Sequence, residues 1–168
     1  MQFPLTFDFR TKPSIRSLSF CRTYDPALDS EISILSDVCD LIDSHAEFHV
    51  SGFGDLNWPV DVAQDYCIFV EQLPPVLASL RASKPVNLDF YEQSVQRYIE
   101  LIPDDHFIVA TCTPLTSWVP SPRTVHLSKL EFIGTLEDHL ATFLGVLRTV
   151  APKLASHDLI TDWLSERN

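Results

Sequence analysis

The sequence predicts an α+β fold, in which a mainly antiparallel β-sheet built from hairpins carries helices packed on one face. Two kinds of pattern lead to this class. Apolar and polar residues alternate in paired stretches separated by turn residues, most clearly in residues 95–102 and 107–112 on either side of a Pro-Asp-Asp turn. Apolar residues at helical spacing form other stretches, the longest in residues 133–147. Strands therefore come in hairpins, and helices follow them.

Two further hairpins are predicted in the first third of the chain. Alternation in residues 3–9 and 18–20, with a proline-containing turn between them, predicts an N-terminal hairpin. Residues 47–53 and 58–62 show a second pair of alternating stretches, joined by a Gly-Asp-Leu-Asn turn. This second hairpin places Asp55 near its tip.

Two helices are predicted in the first half. Residues 30–44 have apolar positions at helical spacing, and Asp29 or Ser30 is available to cap the first turn. Residues 64–82 keep one apolar face across Pro74-Pro75. Proline lacks a backbone N–H and clashes with the preceding turn, so this helix is expected to be kinked or broken there without a change of its buried face.

The last third is predicted to be helical after a loop. Residues 114–124 contain three prolines and cannot continue a central strand. Ser128 followed by Glu131 is a capping box, so a long helix should begin there and end near Pro152. A final amphipathic helix is predicted from about residue 153.

Length and composition predict one globular domain, residues 1–168. Hydrophobic residues make up 45% of the chain and charged residues 21%, as in ordinary globular domains. No apolar run reaches the ~20 residues that cross a bilayer, and the first ten residues lack the layout of a signal peptide. The expectations are a cytoplasmic protein and no membrane partner. Four cysteines without a CxxC motif are expected to be buried thiols: Cys21, Cys39, Cys67 and Cys112.

The net charge of −11 is distributed unevenly along the chain. Residues 23–80 contain eleven acidic residues and no lysine or arginine, whereas residues 1–22 have a small basic excess. Such a negative field repels nucleic acid and anionic membranes and attracts a basic protein surface. A second interpretation stays open, in which the acidic face is solvated and only increases solubility.

No catalytic, metal or cofactor site is predicted. The six histidines form no HxH, HExxH or Cys/His ligand pattern, and four glycines form no phosphate-binding fingerprint. Ser51-Gly52 lacks the first glycine of a nucleophile elbow, because residue 49 is histidine. Cys67 is predicted to be buried in a helix, where a thiol has low reactivity. Exposed aromatic residues favour a protein interface instead: Trp58 and Tyr91 beside acids, and Trp118 in the proline-rich loop.

Three stretches resemble the immunity proteins encoded beside polymorphic or contact-delivered bacterial toxins: WPVDV (58–62), FVEQLPPVLASL (69–80) and LDFYEQSVQRYIEL (88–101). The resemblance covers residues 46–164, and it departs where this chain has Ser94 after DFYEQ instead of glycine. It implies tight binding and occlusion of a cognate, basic toxin domain in the producer's cytosol. The contact residues that fit both this resemblance and the acidic stretch are Asp55, Trp58, Asp61, Asp65, Asp89 and Glu92.

Two other functions stay open at this point. An enzyme or small-ligand protein could assemble its site from His, Asp and Glu residues that are distant in sequence, and a deep pocket where these converge would favour it. A structural adaptor could use the same acidic face constitutively.

Overall fold

A computed structural model describes residues 4–165. Within this range, helices combine with two antiparallel sheets, and the predicted α+β class is confirmed. In chain order the elements are β1 (Thr6–Thr11), α1 (Glu31–Ile42), β2 (Ala46–Ser51), α2 (Cys67–Arg81), β3 (Val86–Phe90), β4 (Arg97–Asp104), β5 (Phe107–Pro114), β6 (Thr124–Ser128), α3 (Lys129–Val150) and α4 (Asp158–Ser165).

The larger sheet has the strand order β3-β4-β5-β6, and each neighbouring pair is antiparallel. Ile99 and Leu101 of β4 are fully buried, as are Ile108 and Ala110 of β5, whereas Glu100 is exposed. Successive strand side chains point to opposite faces, so one face of the sheet carries the core and the other faces solvent. The predicted β4–β5 hairpin and the sides of its residues are confirmed.

Phenylalanine side chains join the smaller sheet, β1-β2, to the rest of the core. The ring centroid of Phe7 in β1 lies 4.6 Å from that of Phe69 in α2 and 6.2 Å from that of Phe132 in α3. These rings belong to one contiguous apolar cluster that includes residues of all ten elements. Burying each such ring contributes about 1.5–3 kcal/mol, so β1 is held by packing as well as by its strand partner.

The predicted pairing of residues 3–9 with residues 18–20 is wrong. β1 pairs with β2 instead, about forty positions further along the chain. Phe20 donates its backbone N–H to the carbonyl of Val150 at the end of α3, at 2.9 Å. Alternation indicates that a segment is a strand but does not select its partner, which here is set by the core. Phe3 lies outside the described residues.

The second predicted hairpin is wrong in its returning strand. Residues 47–53 contain a strand, β2, but residues 58–62 do not form one. Trp58 makes a single ladder-like contact, its N–H donating to the carbonyl of Val50 at 2.9 Å. Pro59 has no N–H to extend that ladder, so the chain leaves the sheet there.

The predicted helix at 64–82 exists and continues through its prolines. A π-helical turn over residues 62–66 leads directly into α2, which runs through Pro74 and Pro75 without a break. Pro75 cannot donate to the carbonyl of Glu71, and that carbonyl accepts the indole N–H of Trp163 in α4 at 3.0 Å instead. Of the two expected outcomes, a kink or a break, the break is wrong, and the buried face continues across the prolines as predicted.

The other helices follow their local signals, with smaller differences. Ser30 caps α1, whose predicted position is confirmed, and Ser128 caps α3 by accepting the N–H of Glu131 at 3.4 Å. The last helix begins at Asp158, after a short 3-10 turn, instead of at residue 153. The sequence analysis did not predict strand β6, which follows the predicted loop.

The structure bears on two expectations, the burial of the four cysteines and the absence of a membrane-spanning segment. Cys39, Cys67 and Cys112 are buried thiols, as predicted, but Cys21 is exposed. Among residues 4–165, no helix combines the length and the apolar character that crossing a membrane requires.

Candidate protein-binding surface

A buried arginine organises the loops at one end of the larger sheet. Arg97, the first residue of β4, is 4% exposed, and its guanidinium carbon lies 3.7 Å from the ring centroid of Trp118 and 4.3 Å from that of Trp58. Its Nη2 donates to Oδ2 of Asp55 at 2.7 Å. We call these four residues, Asp55, Trp58, Arg97 and Trp118, the Arg97 clamp. One carboxylate and two aromatic faces stabilise a cation that has left water.

The Arg97 clamp joins two loops that are far apart in sequence. Asp55 and Trp58 lie in the loop after β2, and Trp118 lies in the loop between β5 and β6. The loops also touch directly, because the N–H of Ser121 donates to the carbonyl of Phe53 at 2.8 Å. They approach so closely that a Cβ atom on Gly54 would lie 2.1 Å from the carbonyl oxygen of Ser121.

Exposed apolar side chains lie beside the clamp residues. Leu56 follows Asp55 and is 65% exposed, and Val119 follows Trp118 and is 77% exposed. Leu115, 66% exposed, is tied to the start of β4 by a backbone hydrogen bond to the carbonyl of Gln96. We call Leu56, Leu115 and Val119 the clamp tips. Large exposed apolar residues on loops held in one conformation are typical of binding surfaces, since little order has to be gained on association.

Asp61 and Asp65 form the turn that starts the helical region before α2. Oδ1 of Asp61 accepts the backbone N–H groups of Gln64 and Asp65, at 2.7 and 3.2 Å, and Oδ2 of Asp65 accepts the N–H of Asp61 at 3.0 Å. Asp65 is fully buried, and burial, together with the charges of Asp61 and Glu92, raises its pKa to about 6. Asp65 therefore supports the turn from inside, while Asp61 stays exposed.

Carboxylates surround an exposed tyrosine next to this turn. Tyr91 is 53% exposed, and partial burial followed by the charges of Glu71, Glu92 and Asp89 raises its pKa. Burial also raises the pKa of Glu71 and of Asp89. Among the described residues, none of the carboxylates here is in an ion pair. We call this set the Tyr91 surface: Asp61, Glu71, Asp89, Tyr91 and Glu92.

The structure divides the six predicted contact residues into two groups. Asp61, Asp89 and Glu92 lie together on the Tyr91 surface. The other three, Asp55, Trp58 and Asp65, have structural positions in the Arg97 clamp or in the interior. Trp58 is 1% exposed, so the expectation that it is an exposed aromatic residue is wrong, and Trp118 is partly buried against Arg97. Tyr91 is exposed, as expected.

Sequence reasoning missed Arg97 and Glu71. The alternating pattern already placed Arg97 on the apolar face of its strand, beside Ile99 and Leu101. A cation at a core position requires a buried partner, and this was the available signal. Glu71 gave no such signal, because its neighbour Tyr91 comes from a strand end twenty positions away.

A cavity of about 250 Å³ is lined in part by a histidine and two carboxylates, His139, Asp8 and Asp138. His126 and Glu131 line another, of about 270 Å³. Nε2 of His139 lies 3.3 Å from the carbonyl of Phe7, and burial lowers the pKa of His139. When a neutral imidazole donates its N–H to a backbone carbonyl, that nitrogen is not free to act on a ligand. Within residues 4–165, no three His, Cys, Asp or Glu side chains are grouped closely enough to hold a metal ion.

Comparisons of this chain with protein-family models, with curated proteins and with solved structures gave no match.

Proposed function

We propose that this chain is an acidic protein-binding domain that binds a basic protein through the Tyr91 surface and the clamp tips. The observation that carries the proposal is the set of carboxylates around exposed Tyr91 that have no ion-pair partner among residues 4–165. A solvated acidic face that serves only solubility does not need an aromatic residue at its centre. Aromatic residues surrounded by charge are common anchors of protein interfaces.

The carboxylates and the apolar side chains of this surface act at different stages of binding. Unpaired carboxylates attract a basic partner from a distance and raise the rate of association, an effect that salt weakens. Tyr91 and the clamp tips supply apolar area that slows dissociation once the partner is in contact. Both parts lie near the start of β4, since the backbone carbonyl of Glu92 accepts the N–H groups of Val95 and Gln96 just before Arg97.

The more specific form of the proposal is that the partner is the toxin domain of a bacterial toxin system and that the chain is its immunity protein. The resemblance of the three stretches in residues 58–101 supports this form, and each of them contributes at least one residue to the Tyr91 surface. The toxin would be inactivated because the bound domain covers its basic cleft.

The test is a pull-down with the chain as bait from the cells that produce it, at low and at high salt, with mass spectrometry of what binds. The decisive variant is Glu71→Lys with Glu92→Lys. Its matched control is Asp104→Lys with Asp105→Lys, which changes the net charge equally at two exposed positions. Asp104 lies at the far end of β4, about 23 Å from Arg97 at 3.3 Å per residue.

The proposal predicts that one basic protein is captured, that its association slows as salt is raised, and that the Tyr91-surface variant loses it while the control keeps it. Inhibition of that protein's toxic activity by the wild type would establish the immunity form. Equal loss in both variants would mean that only total charge matters, and capture of nothing at either salt concentration would remove the proposal.

A further inference from the structure

A groove separates the two sheets along the first half of α3. One end is a cavity of about 270 Å³, lined by Leu5 just before β1, by His126 of β6 and by Thr135 of α3. The next cavity, of about 250 Å³, lies between Phe9 of β1 and Thr142 of α3 and shares Thr135 with the first. The free edges of β1 and β6 therefore border the same groove.

The hydrogen-bond pattern shows that backbone groups of both strands point into this groove. The backbone N–H of Lys12 donates to the carbonyl of His45. Since alternate residues of an antiparallel strand bond to the same neighbour, the backbone groups of every second residue of β1 bond to β2. Those of the residues between them, Phe7 and Phe9, point away from β2. The carbonyl of Phe7 accepts His139 there, which confirms the direction. In β6, the bond from Cys112 to the carbonyl of Arg123 sets the same alternation, so Thr124 and His126 face outward.

Each of the other two sheet edges has a backbone group that another part of the chain occupies, and the contrast is informative. At the edge of β3, the side-chain amide of Gln72 donates to the carbonyl of Asp89 and accepts its N–H, at 2.9 and 2.8 Å, as a neighbouring strand would. At the edge of β2, the N–H of Trp58 occupies the carbonyl of Val50. Among the described residues, no hydrogen bond occupies the outward backbone groups of Phe9 or His126. Edges that are normally protected in native proteins are open at this groove.

The groove also has the length and charge for one kind of occupant. Residues 131–142 of α3 border it over about 16 Å, the span of about five residues of an extended strand. Glu131, Asp138 and Asp8 contribute acidic side chains to its walls, although Asp8 pairs with Arg10. A carbonyl oxygen has two lone pairs, so Phe7 can accept a second donor beside His139.

We propose that this groove binds an extended, basic peptide segment of a partner protein by strand addition. The bound segment pairs with the outer edge of β1 and with that of β6, and its basic side chains contact the acidic walls. Backbone pairing supplies affinity and the walls supply selectivity, as in other strand-addition sites. This site is distinct from the Tyr91 surface and goes beyond the function proposed above.

The experiment is a selection from a phage-displayed library of random peptides of about nine residues, which leaves about two flanking residues on each side of the paired segment. The wild type, Thr135→Arg and Thr149→Arg are selected in parallel. Thr135 and Thr149 each donate a side-chain hydrogen bond to the carbonyl four residues earlier in α3, but only Thr135 lines the groove. Arginine at position 135 fills the groove and neutralises its charge, whereas arginine at 149 is the matched control.

We expect the wild type and Thr149→Arg to enrich the same basic peptides with alternating apolar residues, and Thr135→Arg to lose them. Recovery of those peptides by Thr135→Arg would show that the groove does not bind them, and would assign their binding to another surface such as the Tyr91 surface. Failure of the wild type to enrich any basic peptide would overturn the proposal itself.

A second measurement uses only wild-type protein, so it does not depend on how the variants fold. An enriched peptide is synthesised with and without N-methyl groups on two alternate residues, and binding is measured by fluorescence anisotropy. N-methylation of the paired residues removes two backbone donors, and we expect affinity to fall roughly 30-fold. The bound peptide should also slow amide hydrogen exchange at Phe7, Phe9 and His126. Equal affinity of the two peptides, or unchanged exchange at these amides, would refute strand addition.

Discussion

The buried carboxyl of Asp65 makes the stability of the fold depend on pH in a direction that can be calculated. Its pKa of about 6 in the folded protein lies above the ordinary value of 3.8, so the folded state holds this proton more tightly than the unfolded state. Its contribution to stability is therefore complete below pH 3.8 and is lost as pH rises through about 6. At about 1.36 kcal/mol per pH unit, the loss is about 3 kcal/mol.

Replacing Asp65 with asparagine should remove this loss. Asparagine keeps an oxygen that can accept the N–H of Asp61 and cannot ionise. The free energy of unfolding of Asp65→Asn minus that of the wild type should increase by about 3 kcal/mol from below pH 3.8 to above pH 6. Urea denaturation at a series of pH values, followed by tryptophan fluorescence, measures this difference, and other titrating groups cancel in the subtraction.

Asp65→Leu is the control that separates charge from hydrogen bonding. Leucine also cannot ionise, so its difference curve should have the same shape. The curve should be displaced downward by about 1–3 kcal/mol, because the N–H of Asp61 loses its acceptor inside the fold. A difference that does not vary with pH for either variant would show that the carboxyl of Asp65 is solvated in the folded state, which would refute the reasoning.

Three other predictions concern the loops and the sheet edge. Arg97→Met should lower the free energy of unfolding by about 3–5 kcal/mol, because Asp55 loses its ion-pair partner and two aromatic rings lose the cation. If urea denaturation shows a loss of less than about 1 kcal/mol, the Arg97 clamp does not stabilise the fold as described. Gly54→Ala should be strongly destabilising, because Gly54 has a φ of 89° and lies close to Ser121. Gly145→Ala, in α3 with open space around it, should instead stabilise the fold by up to about 1 kcal/mol. Thermal melts compare the two variants directly, and equal shifts of their melting temperatures would refute the close approach of Gly54 to Ser121. Gln72→Leu should speed hydrogen exchange of the Asp89 amide without changing that of β5, and an unchanged Asp89 rate would mean that Gln72 does not protect this edge.

Local chemistry made much of the fold predictable. The capping residues Ser30 and Ser128 begin helices α1 and α3 where the sequence indicates, and the β4–β5 hairpin forms where it was predicted, although its turn is Asp105-His106 and Pro103 and Asp104 belong to β4. These signals lie within a few residues of the element they define. The same holds for the buried face of α2, since side-chain spacing depends on the helix and not on its partners.

The errors concern contacts between distant segments. β1 alternates as a strand should, but its partner follows a whole helix later, and no local rule selects it. Strand β6 is short and follows a proline-rich loop, so its alternation was not separated from that loop. At the candidate surface, Trp58 is a residue type common among interface anchors, but contacts with Phe90 and Arg97, more than thirty positions away, place it in the interior.

The Arg97 clamp has a consequence for how the surface can change over time. The residues that fix the loops are buried or partly buried. Leu56, Leu115 and Val119 are exposed to solvent and take no part in the ion pair between Arg97 and Asp55. Substitutions at the three tips should therefore cost little folding stability and leave the loop positions unchanged. If the tips bind the proposed partner, partner preference can then change without loss of the fold. A lineage under pressure from a changing partner would diversify at the tips first and keep the four clamp residues.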